Sequence, residues 1–136
     1  MFPGRLLAFI FTLSLSLALL HAAALDHFWY WTLRWLDIPM HIAGGFLIAC
    51  LSVWLILRLR LSIFSESRRL LLVLGAVMLI SVLWELFEFS IGFMQEPGYV
   101  FDTVHDLVND LGGGILGYLF ALRFLAPRVS LAPATA

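Results

Sequence analysis

The sequence predicts an all-α integral membrane protein: four helices spanning the bilayer as one bundle, with both termini in the cytoplasm. Three observations predict it. Hydrophobic residues make up 62% of the 136 and charged residues 12%, with a mean hydropathy of +1.01, whereas soluble domains carry about a quarter charged residues. Apolar runs of about 20 residues, the length that crosses a hydrocarbon core, recur four times. The arginines collect at one set of run ends and the acids at the other.

The first span is expected over residues 6–24, after Arg5. A basic start, an apolar run and small residues at Ala22–Ala24 also describe a signal peptide; the length of the run favours a retained anchor. The connection DHFWYWTLRWLD, residues 26–37, crowds in Trp29, Tyr30, Trp31 and Trp35. Amphipathic rings settle at headgroup level, so it reads as an interfacial belt or short surface helix, and His21 and His27 as interfacial residues.

The second span, residues 38–57, has Pro39 in its first turn, where a missing N–H does no harm. Asp37 fits a helix cap as well as a ligand, and stands at i, i+4 with His41. Gly44 and Gly45 follow on the same side. The third span, residues 70–93, is apolar until Glu85 and Glu88, which project from one side at i, i+3. Gln95 to Gly98 make a turn. The fourth span, residues 103–125, sets Asp106, Asp110, Gly113 and Gly117 on one face, anionic above and bare below. Residues 1–126 thus form one domain, and 127–136 a disordered cytoplasmic tail.

Orientation follows from the arginines. With both termini inside, seven of the eight lie on the inner side and Arg34 alone outside. Of nine acids only Glu66 is inner. The expected location is the cytoplasmic (inner) membrane, multi-pass, with the bilayer as first partner. Nothing in the pattern suggests nucleic acid; a protein partner or a second copy remains open. Cys50, the single cysteine, excludes an intrachain disulfide.

Three helix ends then meet in the outer half of the membrane. One brings Asp37 and His41, the next Glu85 and Glu88, the last Asp102, His105, Asp106, Asn109 and Asp110. Each isolated acid at mid-membrane costs about 2.5–3.5 kcal/mol on an insertion scale, so several together need protonation, mutual hydrogen bonds, water or a cation. A divalent metal neutralises them directly. Imidazole with carboxylate suits Zn, Mn or Fe, and oxygens alone Mg or Ca. The candidate ligands are His41, Glu85, Glu88 and Asp106, then Asp110 and His105.

At these residues the chain resembles the VanZ-like family of small bacterial membrane proteins. Asp37 and His41 fit its Asp-Lys-x-x-His element with Ile38 in place of lysine. Glu85 fits Glu-x-x-Gln, with Glu88 in the glutamine place. Asp106, Gly113 and Gly117 fit Asp-x-x-x-Asn-x-x-Gly-x-x-x-Gly, with Asp110 for asparagine. The arginine usual before the last element is missing. The substitutions make the site more anionic than the family pattern. The chain is also similar to uncharacterised membrane proteins carrying Trp-Glu-x-Phe-Glu and then Asp-Thr-x-x-Asp-Leu, here Trp84–Glu88 and Asp102–Leu107. The resemblance implies a membrane bundle and supplies no established reaction.

Three functions compete. A metal-assisted hydrolase or transferase would act on a lipid-linked or envelope substrate, a Glu serving as general base, although no His-Glu-x-x-His is present. A proton- or ion-handling protein would need a path inward, and the inner halves carry little beyond Ser52, Gly75 and the glycine face. A non-enzymatic membrane subunit would use the acidic cluster only as a structural network.

Overall fold

The computed structural model describes residues 3–59, 65–92 and 98–125. The expected turn residues Gln95, Glu96 and Pro97, together with Arg60, Arg128 and the tail 127–136, lie outside the described residues. Among those described the chain is wholly helical: α1 (Pro3–Asp26), α2 (Trp29–Thr32), a 3-10 turn Arg34–Leu36, α3 (Asp37–Arg58), α4 (Glu66–Ser90), α5 (Tyr99–Phe120) and a π turn Ala121–Leu125.

Three helical stretches are long and apolar enough to cross a membrane: Gly4–Asp26, Arg34–Arg58 and Glu66–Ser90. α5 is 22 residues long but is not among them. Asp102, His105, Asp106, Asn109 and Asp110 lower its hydropathy, and two of them, Asp106 and Asp110, are buried in the site.

Local chemistry sets the ends. Pro3 occupies the first helical position of α1. α4 starts earlier than residue 70 because Ser65 accepts from the Arg68 amide at 3.4 Å, a side-chain cap on the first turn. It stops at Ser90 because Gly92 takes a left-handed φ of 72° and its N–H closes on the Phe89 carbonyl. α5 starts at Tyr99, not 103, because Gly98 adopts φ 116° ahead of it. The cap reading of Asp37 is therefore corrected. Asp37 lies inside the first turn of α3, since the 3-10 turn runs straight into it, and Asp102 lies inside the first turn of α5. Each carboxylate still meets the positive end of a helix dipole.

α3 is the hub. It packs against α1, α4 and α5, most extensively α5, while α4 packs on α5 as well. The α3–α5 contact is backbone against backbone. A Cβ at Gly45 would fall on the Asp110 carbonyl, one at Gly113 on the Ile42 carbonyl and one at Gly117 on the Phe46 carbonyl. Only glycine permits that approach, which seats His41 and Asp110 against each other. Farther along, Cys50, Val53, Val73, Val77 and Tyr118 join Leu6 in the buried apolar core. Most remaining apolar side chains face outward, such as Phe11, Leu71 and Val108 at 67%, 69% and 62% exposed. In water that would be a liability; in lipid it is the solvated surface.

Candidate functional site

The acids and His41 gather at the end of the molecule holding the aromatic connection, opposite the apolar core. α3 presents His41 from its first turns, α4 presents Glu85 and Glu88 from its last turns, and α5 presents Asp106 and Asp110. All five side chains are buried, none more than 7% exposed. The i, i+3 and i, i+4 spacings that put them on one face of each helix are what bring them inward together.

His41 sits at the centre. Its Nδ1 lies 3.1 Å from Asp110 Oδ2. Its Nε2 lies 3.6 Å from Asp37 Oδ1 and 3.9 Å from Asp106 Oδ1. With the proton on Nδ1, that N–H donates to Asp110 and leaves Nε2 with a lone pair directed at two carboxylates. This is the arrangement by which a carboxylate orients a metal-binding imidazole.

Glu85 is held on its other side. Thr103 Oγ1 donates to Glu85 Oε2 at 2.9 Å, and the Tyr99 hydroxyl donates to the Glu85 backbone carbonyl at 3.1 Å. Among the described residues two buried carboxylate oxygens have no partner: Glu85 Oε1 and Asp106 Oδ2. An unpartnered buried polar atom costs about 1–3 kcal/mol, more when charged.

Among the described residues two groups have ligand atoms within 4.8 Å of one another: Asp37, His41 and Asp106, and His41, Glu85 and Glu88. Tetrahedral ligands about 2.0–2.2 Å from an ion stand about 3.3–3.6 Å apart, so an ion would draw these atoms together by up to about 1–1.5 Å. His41 is common to both groups and Asp110 occupies its Nδ1. The two groups are therefore parts of one site or alternatives at it.

Of the six candidate ligands, four (His41, Glu85, Glu88, Asp106) fall in these groups and Asp110 reaches the centre through His41. Asp37 joins as a fifth carboxylate. His105 stands apart: it is exposed and its ring lies against Phe101, tilted at 54°, with centroids 4.3 Å apart. A one-residue step on a helix turns about 100°, so His105 cannot share the inward face of Asp106. Asp102 is likewise exposed.

Sequence reasoning missed His21, Tyr30 and Thr103 as parts of this region. His21 Nδ1 and the Tyr30 hydroxyl are 2.7 Å apart, and the His21 ring meets Trp84 edge-on at 5.7 Å. Burial pushes the Tyr30 phenol up to about 12, and the Asp37 and Glu88 carboxylates push the same way. The phenol stays protonated at neutral pH, and it donates to His21 when the Nδ1 of that ring carries no proton. Both residues border a cavity of about 380 Å³ whose wall includes Asp37, His41, Glu88 and Asp110. One signal was available: His21 lies a full turn inside the apolar run of α1, not at its edge. Thr103 precedes Asp106 by three, on the same face.

The family model for a predicted membrane protein family, DUF2238, matches residues 3–127. No curated protein and no solved structure matches the chain. The chain belongs to the DUF2238 family.

Proposed function

We propose that this DUF2238 protein is a multi-pass protein of the cytoplasmic membrane that binds a divalent cation near its outer face, through His41, Glu85, Glu88 and Asp106, with Asp37 beside them. The observation that carries the reading is the pair of unpartnered oxygens, Glu85 Oε1 and Asp106 Oδ2, on side chains only 5% and 3% exposed. A cation offsets both at once, together with the mutual repulsion of the carboxylates. Nitrogen and oxygen donors combined favour Zn, Mn or Fe over Mg or Ca. Asp110 orients His41 in this reading.

α5 is the fourth span, and its polar face is turned to the bundle axis. Both termini are cytoplasmic, which sets Arg58, Arg68 and Arg69 inside and the site outside. Residues 1–126 form one membrane domain. The order of Asp37 and His41, Glu85 and Glu88, then Asp106 and Asp110 supports a distant kinship with VanZ-like proteins. A cation with a carboxylate beside it supplies what metal-assisted hydrolysis or transfer on a lipid-linked substrate requires.

The second reading is a structural or proton-handling network, favoured by the His41–Asp110 and Thr103–Glu85 hydrogen bonds. Titration of Zn²⁺ and of Mn²⁺ into metal-stripped protein in detergent separates the two. Saturable binding of about one equivalent, weakened by Asp106→Asn in a variant that still elutes as folded protein, supports the cation site. Equal weak uptake by both proteins supports the network.

A further inference from the structure

The cavity beside the acid cluster has a polar end and an apolar end. His21, Tyr30, His41 and Glu88 border the first; Leu17, Ala18, Ile48 and Ile80 wall the second. The apolar end lies deeper along all three helices: Leu17 is one turn back from His21, Ile80 two turns from Glu88, and Ile48 seven residues on from His41, about 10 Å at 1.5 Å per residue. Ser81, next to Ile80 in the wall, turns its hydroxyl onto its own helix, donating to the Val77 carbonyl at 2.9 Å. Gly44 contributes no side chain, which widens the cavity where it passes the cluster.

The cavity reaches lipid sideways. α1 and α4 each pack on other elements but scarcely touch each other. The ring contact of His21 with Trp84 bridges them at the polar end. Below it the α4 lip is apolar and open, with Ile80 46% exposed. In a bilayer this gap faces hydrocarbon, so the medium that would fill it is a lipid chain. A volume of about 380 Å³ falls in the range of about 300–1,000 Å³ typical of small-molecule sites.

We infer that the cavity takes the hydrocarbon chain of a phosphate-bearing membrane amphiphile, which enters between α1 and α4 and rests its head against the cation at His41 and Glu88. The head's chemistry rests on the cation reading: Asp37, Glu88 and Asp110 repel a phosphate unless a cation stands between, and among the described residues no arginine or lysine lines the cavity. The chain's position rests on the cavity alone.

The test uses the full chain in nanodiscs and a long-chain alkyl phosphate carrying a diazirine at the chain end, with adducts mapped by peptide mass spectrometry. Runs are made with added Mn²⁺ and with chelator, beside an alkylammonium probe of the same length. Adducts should concentrate on Leu17, Ile48 or Ile80 over the outward residues Phe11 and Val108. They should fall about tenfold in Ala18→Trp, which fills the cavity at the cost of overpacking, and fall similarly on chelation. Ala18 is exposed, so the bulk does not enter the core, and an unchanged cation titration certifies the fold of that variant. Labelling spread evenly over outward residues, or untouched by Ala18→Trp, overturns the inference. Cavity labelling that persists on chelation, or is stronger with alkylammonium, overturns the phosphate assignment; the separate cation titration then shows whether the cation reading has fallen too.

Discussion

His41 has two ring nitrogens with different surroundings, and most of the site follows from that. Nδ1 is committed to Asp110 at 3.1 Å, so only Nε2 is open to an ion. Asp110→Asn should then reduce cation affinity by about 10–100-fold, the usual cost of losing an orienting carboxylate. Asp106→Asn, which removes a charged donor, should reduce it at least as much. His105→Ala should leave it unchanged, because that ring is exposed and packs against Phe101. Calorimetric titration of the three variants ranks them, and equal losses for all three would mean that the site is only a diffuse field of negative charge. Tyr30 carries a separate prediction. A phenol that ionises near 10 when unfolded but near 12 when folded adds stability that is whole below pH 10 and is lost as pH rises toward 12. Tyr30→Phe should flatten that alkaline decline in thermal denaturation. At this scale the sequence was largely readable: charge in an apolar run is costly, so Glu85, Glu88 and Asp106 announced themselves. His21 and Tyr30 did not, because their importance comes from the short connection that folds α1 back beside α3.

At the scale of elements, α3 and α5 form the scaffold and their glycines decide the spacing. Gly113 faces the Ile42 carbonyl and Gly112 faces open space, one residue apart. Gly113→Ala should destabilise by about 1–3 kcal/mol through overpacking and should also weaken cation binding, because parting the helices parts His41 from Asp110. Gly112→Ala should be neutral or stabilising by up to about 1 kcal/mol, the helix-propensity difference. Unfolding in mixed detergent measures both, and a reversed order would contradict the packing. The i, i+4, i+7 and i+11 spacing of Asp106, Asp110, Gly113 and Gly117 was legible as one face, and all four are buried. The helix ends were less so. Gly98 and Ser65 each started a helix about four residues early, because capping geometry is set by backbone dihedrals that the hydropathy pattern does not carry.

For the whole molecule, the distribution of charge is the organising fact. Arg58 ends α3 and Arg68 and Arg69 begin α4, at the end away from the acid cluster. On our reading that end is cytoplasmic. In a Cys50→Ala background, Trp35→Cys should react with a membrane-impermeant thiol reagent on intact cells, whereas Ser67→Cys should react only after the membrane is opened. The opposite pattern would invert the molecule and move the site to the inner face. On the proposed reading, a cation links the buried cluster of acids to the cavity beside it. The most direct measurement is elemental analysis of protein purified in detergent, beside the Glu85→Ala, Asp106→Ala double variant. We predict about one equivalent of a transition metal per chain in the wild type and none in the variant. Equal metal content in both, or none in a wild type purified without chelator and unable to take it up, would contradict the account.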